Sequence, residues 1–110
     1  MKVAIHAGSQ SFSYSQGMED FTITEVNTIE EANEIGAEMS RDVIDSYSCI
    51  SSLIEDVAHD AQENDEDYDE AYENALLQEL FWEVFELKDD APESIENDED
   101  YEEFIEKWKK

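Results

Sequence analysis

The sequence predicts an α+β fold that is mostly α, with a short N-terminal β-hairpin or small antiparallel sheet packed on three to four amphipathic helices. Three observations carry this reading. Apolar and polar residues alternate near the N-terminus, apolar residues recur every three or four positions from residue 28 onward, and 110 residues suffice for one compact core but not two. The chain is read as a single acidic globular domain over 1–110, with residues 1–27 β-rich and residues 28–110 helical.

The elements follow in order. Lys2 to Ala7 is β-rich, and Phe21-Thr22-Ile23-Thr24-Glu25-Val26 alternates at period two, so each predicts a short strand. The two are expected to pair once helices cover a face, because a lone hairpin is marginal. The Ser-, Gln- and Gly-rich stretch from Gly8 to Gly17 reads as a hairpin loop or a third short strand. Thr28-Ile29-Glu30-Glu31 is a capping-box pattern that starts a helix. Ala32, Ile35, Met39, Val43 and Tyr47 then form an apolar stripe. Ile50, Leu53, Ile54, Val57, Ala58 and Ala61 continue it past Ser48-Cys49, as one bent helix or two. After the polar run 62–67, Tyr68, Tyr72, Leu76, Leu80, Val84 and Leu87 recur at helical spacing. One long helix from Tyr68 to Leu87 is expected, its apolar face widened by Leu77, Phe81 and Phe85. Residues 88–93, with Pro92, form a turn, and Tyr101, Phe104, Ile105 and Trp108 mark a final amphipathic helix.

Charge dominates the composition. Against 32 Asp and Glu stand six Lys and Arg, a net charge of −26, whereas solubility asks for only about 2–8 in a small domain. Disorder does not account for it, because 40% hydrophobic and 11% aromatic residues, one proline and three glycines make a core-forming composition. The lone Cys49 excludes an internal disulfide and fits a small core or junction residue in a reducing, cytoplasmic setting. The N-terminal residues carry no secretory or membrane-spanning pattern, and an anionic membrane would repel the chain.

Chemistry finds little footing. No phosphate loop, Cys-x-x-Cys, His-Glu-x-x-His or nucleophile elbow occurs. His6 and His59 are the only imidazoles, and His59, beside Asp60, reads as a charge-compensating surface residue. No enzyme, cofactor or metal is expected. Asp65-x-Asp67-x-Asp69 opens like a calcium loop, but Glu70 stands where the sharp-turn glycine belongs and Leu76 where the bidentate acid belongs. The near-identical strings 64–70 and 97–103 read instead as helix N-termini, capped by Asn or Asp and favoured by the macrodipole.

What remains is the pattern of the acids. No Lys or Arg lies between Asp42 and Glu86, so carboxylates sit at i, i+3 and i, i+4 without partners, costing about 0.2–0.5 kcal/mol per repelling pair. At about 1.7 Å of duplex per phosphate charge, 26 charges correspond to about 44 Å of DNA. The expectation is a carboxylate array presented to the basic groove of a DNA-binding protein. Its partner-binding residues are Asp65, Glu66 and Asp67 at a helix start and Asp69, Glu70, Glu73 and Glu83 along that helix. Asp98, Glu99 and Asp100, followed by Glu102, Glu103 and Glu106, supply the last helix.

In type, the short, acidic, aromatic-containing and Cys-poor chain resembles the DNA-mimic inhibitors of phages and mobile elements, of antirestriction and anti-CRISPR kind. The resemblance implies a restriction enzyme, Cas effector or other DNA-binding protein as target in a host cytoplasm, and it assigns no residue. Direct binding to nucleic acid is not expected, and a monomer or homodimer fits. The runner-up is an acidic adaptor or chaperone that binds a basic partner without duplex mimicry. General salt adaptation would spread the acids evenly, yet the first eighteen residues contain none.

Overall fold

A computed structural model describes residues 1–12, 14, 17–95 and 100–110. The element order is β1 (Lys2–Ser9), β2 (Asp20–Glu25), α1 (Ile29–Ser46), α2 (Ser48–Glu63), α3 (Tyr68–Glu79), β3 (Leu80–Glu86) and α4 (Tyr101–Trp108). The three strands form one antiparallel sheet in the order β2-β1-β3. The α+β, mostly helical architecture is thus the one expected, and β1 and β2 pair from Lys2 opposite Glu25 to Ala7 opposite Asp20.

β1 is buried along nearly its whole length because both its faces are covered. Val3, Ile5 and Ala7 pack with Ala32 and Met39 of α1, while Ala4 packs on the other face with Phe104 of α4. Central strands covered on both sides favour such unbroken apolar runs. β2 and β3 are the edges. Beyond the strands, the backbone of Lys88 and Lys110 bonds to Trp108 and Glu86, closing the C-terminus onto the end of β3.

α1 starts as its sequence dictates. Thr28 Oγ1 accepts from the Glu31 N–H at 3.1 Å, and the Glu31 carboxylate accepts from the Asn27 N–H at 3.1 Å. Tyr47, with extended backbone (φ −116°, ψ 114°), separates α1 from α2, so the two stripes are two helices. Val43, Ile44, Ile50, Ile54 and Leu76 close a second core between α1, α2 and α3, with Met18 beneath it. Cys49 is exposed at the junction rather than in the core, its thiol 3.4 Å from the Met18 sulfur.

The long helix expected over Tyr68 to Leu87 is corrected. It ends at Glu79, and Leu80–Glu86 is a strand, so residues 28–110 are not all helical and the chain holds a third strand. The segment LFWEVFE is aromatic and β-branched, and its apolar residues fit period two as well as period four. Pairing decides the outcome. Trp82 and Val84 turn to α1 and Phe85 to α4, in register with Ala7, Ile5 and Ala4 of β1. Leu77, expected to widen a buried helix face, is instead 53% exposed. The Gly8–Gly17 stretch supplies the end of β1 and then a turn around Gln10–Phe12.

Candidate functional site

α1 buries Ala32, Gly36, Met39, Ser40, Val43 and Ile44, which turns Glu30, Glu34, Glu38, Asp42 and Asp45 to solvent. The first four are spaced by exactly one i, i+4 step, about 6 Å along the axis. They form a ladder of carboxylates that sequence reasoning left out. The signal was present in the spacing, opposite the apolar stripe that identified the helix. On α2 the same logic exposes Glu55, Asp56, Asp60 and Glu63 opposite Ile50, Ile54 and Ala58.

The expected residues at the start of α3 are all exposed, and each has a local reason. Asp65 adopts φ 65°, the left-handed conformation that Asp tolerates better than most residues, in the turn after α2. Asp67 caps α3, its Oδ1 accepting from the N–H groups of Asp69 (2.9 Å) and Glu70 (3.3 Å). Glu66, Asp67 and Glu70 line a hollow of about 260 Å³ with Ala71 and Asn74. Glu73 forms an ion pair with Arg41 of α1, tying α3 to α1.

Carboxylates from three helices converge on Tyr72. Its phenol is pushed above the ordinary tyrosine value, first by burial and then by Asp45 of α1, Glu55 of α2 and Glu73 of α3, together with the Tyr68 phenol. Carboxylates of α1 and α2, and not only those of α3, thus act on this one phenol.

Glu83 does not lie on the helix with Asp69, Glu70 and Glu73, because it belongs to β3. It stands opposite His6 of β1 in register and lines a cleft of about 350 Å³ with Tyr14, Phe85, Ile105 and the α4 residues Glu102 and Glu106. Glu103 is also exposed on α4. Asp100 is the α4 N-cap residue but makes no side-chain cap bond, and Asp98 and Glu99 lie outside the described residues. This second group is partly neutralised: Lys109 pairs with Glu106 at 2.8 Å, and Lys110 with Glu86 at 3.1 Å.

His6, one of the two imidazoles, is 6% exposed. Its Nε2 lies 2.6 Å from the Glu19 carboxylate, and its ring stacks on Tyr14 with centroids 3.6 Å apart. Phe21 and Tyr101 close the cluster edge-on. Burial raises the Tyr14 phenol well above its ordinary range, with Glu83 and Glu19 adding to the shift. His59 is exposed on α2, its ring 5.1 Å from that of Tyr68. Among the described residues, no three or more His, Cys, Asp or Glu side chains are arranged to hold a metal ion, and no helix is long and apolar enough to cross a membrane.

No protein-family model, curated protein or solved structure matches this chain. Among the described residues, exposed carboxylates stand on α1, α2 and α3 and around the cleft between β3 and α4, and also on β2 (Asp20, Glu25) and at Asp89, Asp90 and Glu93.

Proposed function

We propose that this chain is a DNA-mimic inhibitor, which occupies the basic nucleic-acid-binding groove of another cytoplasmic protein through its surface carboxylates. The target class is a restriction enzyme, a Cas effector or another DNA-binding protein. The observation that carries this reading is the α1 ladder Glu30-Glu34-Glu38-Asp42, exposed along its length and joined by the acids of α2 and α3. The molecule is elongated, 54 × 29 × 17 Å. Its long axis is comparable to the duplex length of about 44 Å that carries the same charge.

Fixed carboxylates of this kind compete for the Lys and Arg side chains that otherwise take phosphates, gaining charge-assisted hydrogen bonds and releasing the groove's counterions. The mechanism needs no catalytic group. The shallow pairing of Arg41 with Glu73 leaves the field strongly one-signed, because Arg41 is the only Lys or Arg between Lys2 and Lys88.

One observation favours the alternative of an acidic adaptor or chaperone: exposed carboxylates stand on β2, at Asp89, Asp90 and Glu93 and beside α4 as well as on the three long helices, and a partner held by charge alone needs no duplex geometry. Charge reversal tests the shared part of both readings. Replacing Glu34, Glu38 and Asp42 by Lys should weaken binding to a partner captured from host lysate by orders of magnitude and flatten its salt dependence. Unchanged affinity and salt dependence in a folded variant would remove the α1 ladder from the interface.

A further inference from the structure

An apolar groove runs beside the carboxylate ladder. Glu34, Ala37, Glu38 and Arg41 of α1 line a hollow of about 260 Å³ whose remaining wall is Leu77 of α3 and Leu80 of β3. Leu77 is 53% exposed, more than any other large hydrophobic side chain among the described residues. A single exposed leucine is ordinary. This one shares its groove with a half-buried leucine and an alanine, directly beneath two rungs of the ladder, and nothing in a phosphate backbone corresponds to it.

We infer that this groove receives an aliphatic side chain flanked by lysine or arginine on the partner's basic face. The inference rests on the reading of the chain as a binder of basic proteins, and it supplies what charge alone lacks, a contact that favours one basic protein over another. Charge complementarity selects the occupant. Glu34 and Glu38 on the α1 wall attract cations next to an inserted apolar group, whereas a second copy of this chain would bring a net charge of −26 against the same rim and be repelled. The ion pair between Arg41 and Glu73 holds the two helices that form the walls. An apolar anchor inside a charged rim is the arrangement in which one side chain carries much of the affinity while the charges set approach and register.

The test uses two synthetic helical peptides of equal length and charge. One carries leucines along one face and lysines elsewhere, and the other carries alanines in place of the leucines. The intact chain should bind the leucine peptide about tenfold more tightly than the alanine peptide, with the same dependence on salt, since only apolar area differs. In Leu77→Gln, a substitution neutral for helix propensity at an exposed site, that advantage should vanish while affinity for the alanine peptide stays unchanged. Equal binding of both peptides by the intact chain would overturn the groove and leave the charge reading standing. A leucine advantage that survives Leu77→Gln would overturn it too, by placing the contact elsewhere. Failure of both peptides to bind at low salt would instead overturn the underlying reading of a surface for basic partners.

Discussion

The indole of Trp82 fills the space that a β-carbon on Gly36 would need, its Cγ lying 2.7 Å from that position and its Cδ1 closer still. Gly36 is in the middle of α1 and Trp82 is on β3, so this contact sets how closely the ladder-bearing helix approaches the sheet. The Trp82 Nε1–H donates to Asn33 Oδ1 at 3.0 Å, which holds the ring in place.

Gly36→Ala should therefore reverse the usual sign. In an exposed helix interior the change stabilises by up to about 1 kcal/mol, but here it should destabilise by about 1–3 kcal/mol through overpacking against an anchored ring. Chemical denaturation followed by tryptophan fluorescence measures it. A stabilised variant would mean that the helix and sheet are less closely packed than described.

Self-repulsion gives a second expectation. With a net charge of −26 and few ion pairs among the described residues, the melting temperature should rise by several degrees between about 10 mM and 0.5 M salt, as screening shortens from tens of ångströms to a few. Calorimetric scans across that range decide it. A flat profile would show the carboxylates to be compensated.

The fold was largely legible in the sequence, and the misreading of β3 shows where such reading ends. Strands β1 and β2, the Thr28 cap and the amphipathic α4 all follow from local pattern. Leu76, Leu80 and Val84 satisfied the helical period, so only the long-range partner β1, more than seventy residues away, selects strand for the last two. That choice moved Glu83 from the α3 surface to the cleft beside His6. The Asp67 cap was readable because capping is local. The α1 ladder was readable too, in the i, i+4 spacing of Glu30, Glu34 and Glu38, but these acids precede the cation-free stretch that begins at Asp42. The aromatic cluster around His6 was not readable, since it joins side chains from positions 6, 14, 21 and 101.

The phenols of Tyr14 and Tyr72 respond to burial first and to the surrounding carboxylates second. Both are raised above the ordinary value near 10, with burial as the largest cause and carboxylates adding to it. Below that value the phenol is protonated in both folded and unfolded chains. As pH rises above it, the unfolded chain loses its proton first, so the stability these groups contribute falls progressively. Phenolate absorbance of the intact chain should contain late-ionising components that disappear in Tyr14→Phe and Tyr72→Phe. Ionisation of both groups near pH 10 would contradict the burial of these phenols together with the carboxylates placed around them.

The proposed mimicry would make the partner's choice between this chain and DNA exclusive. With the captured partner purified, increasing duplex DNA should displace the chain completely, and the apparent affinity for the chain should fall in proportion to the DNA present, while the chain itself binds no DNA. A partner that holds the chain and duplex DNA at once, in a stable ternary complex with undiminished affinity for each, would contradict the account.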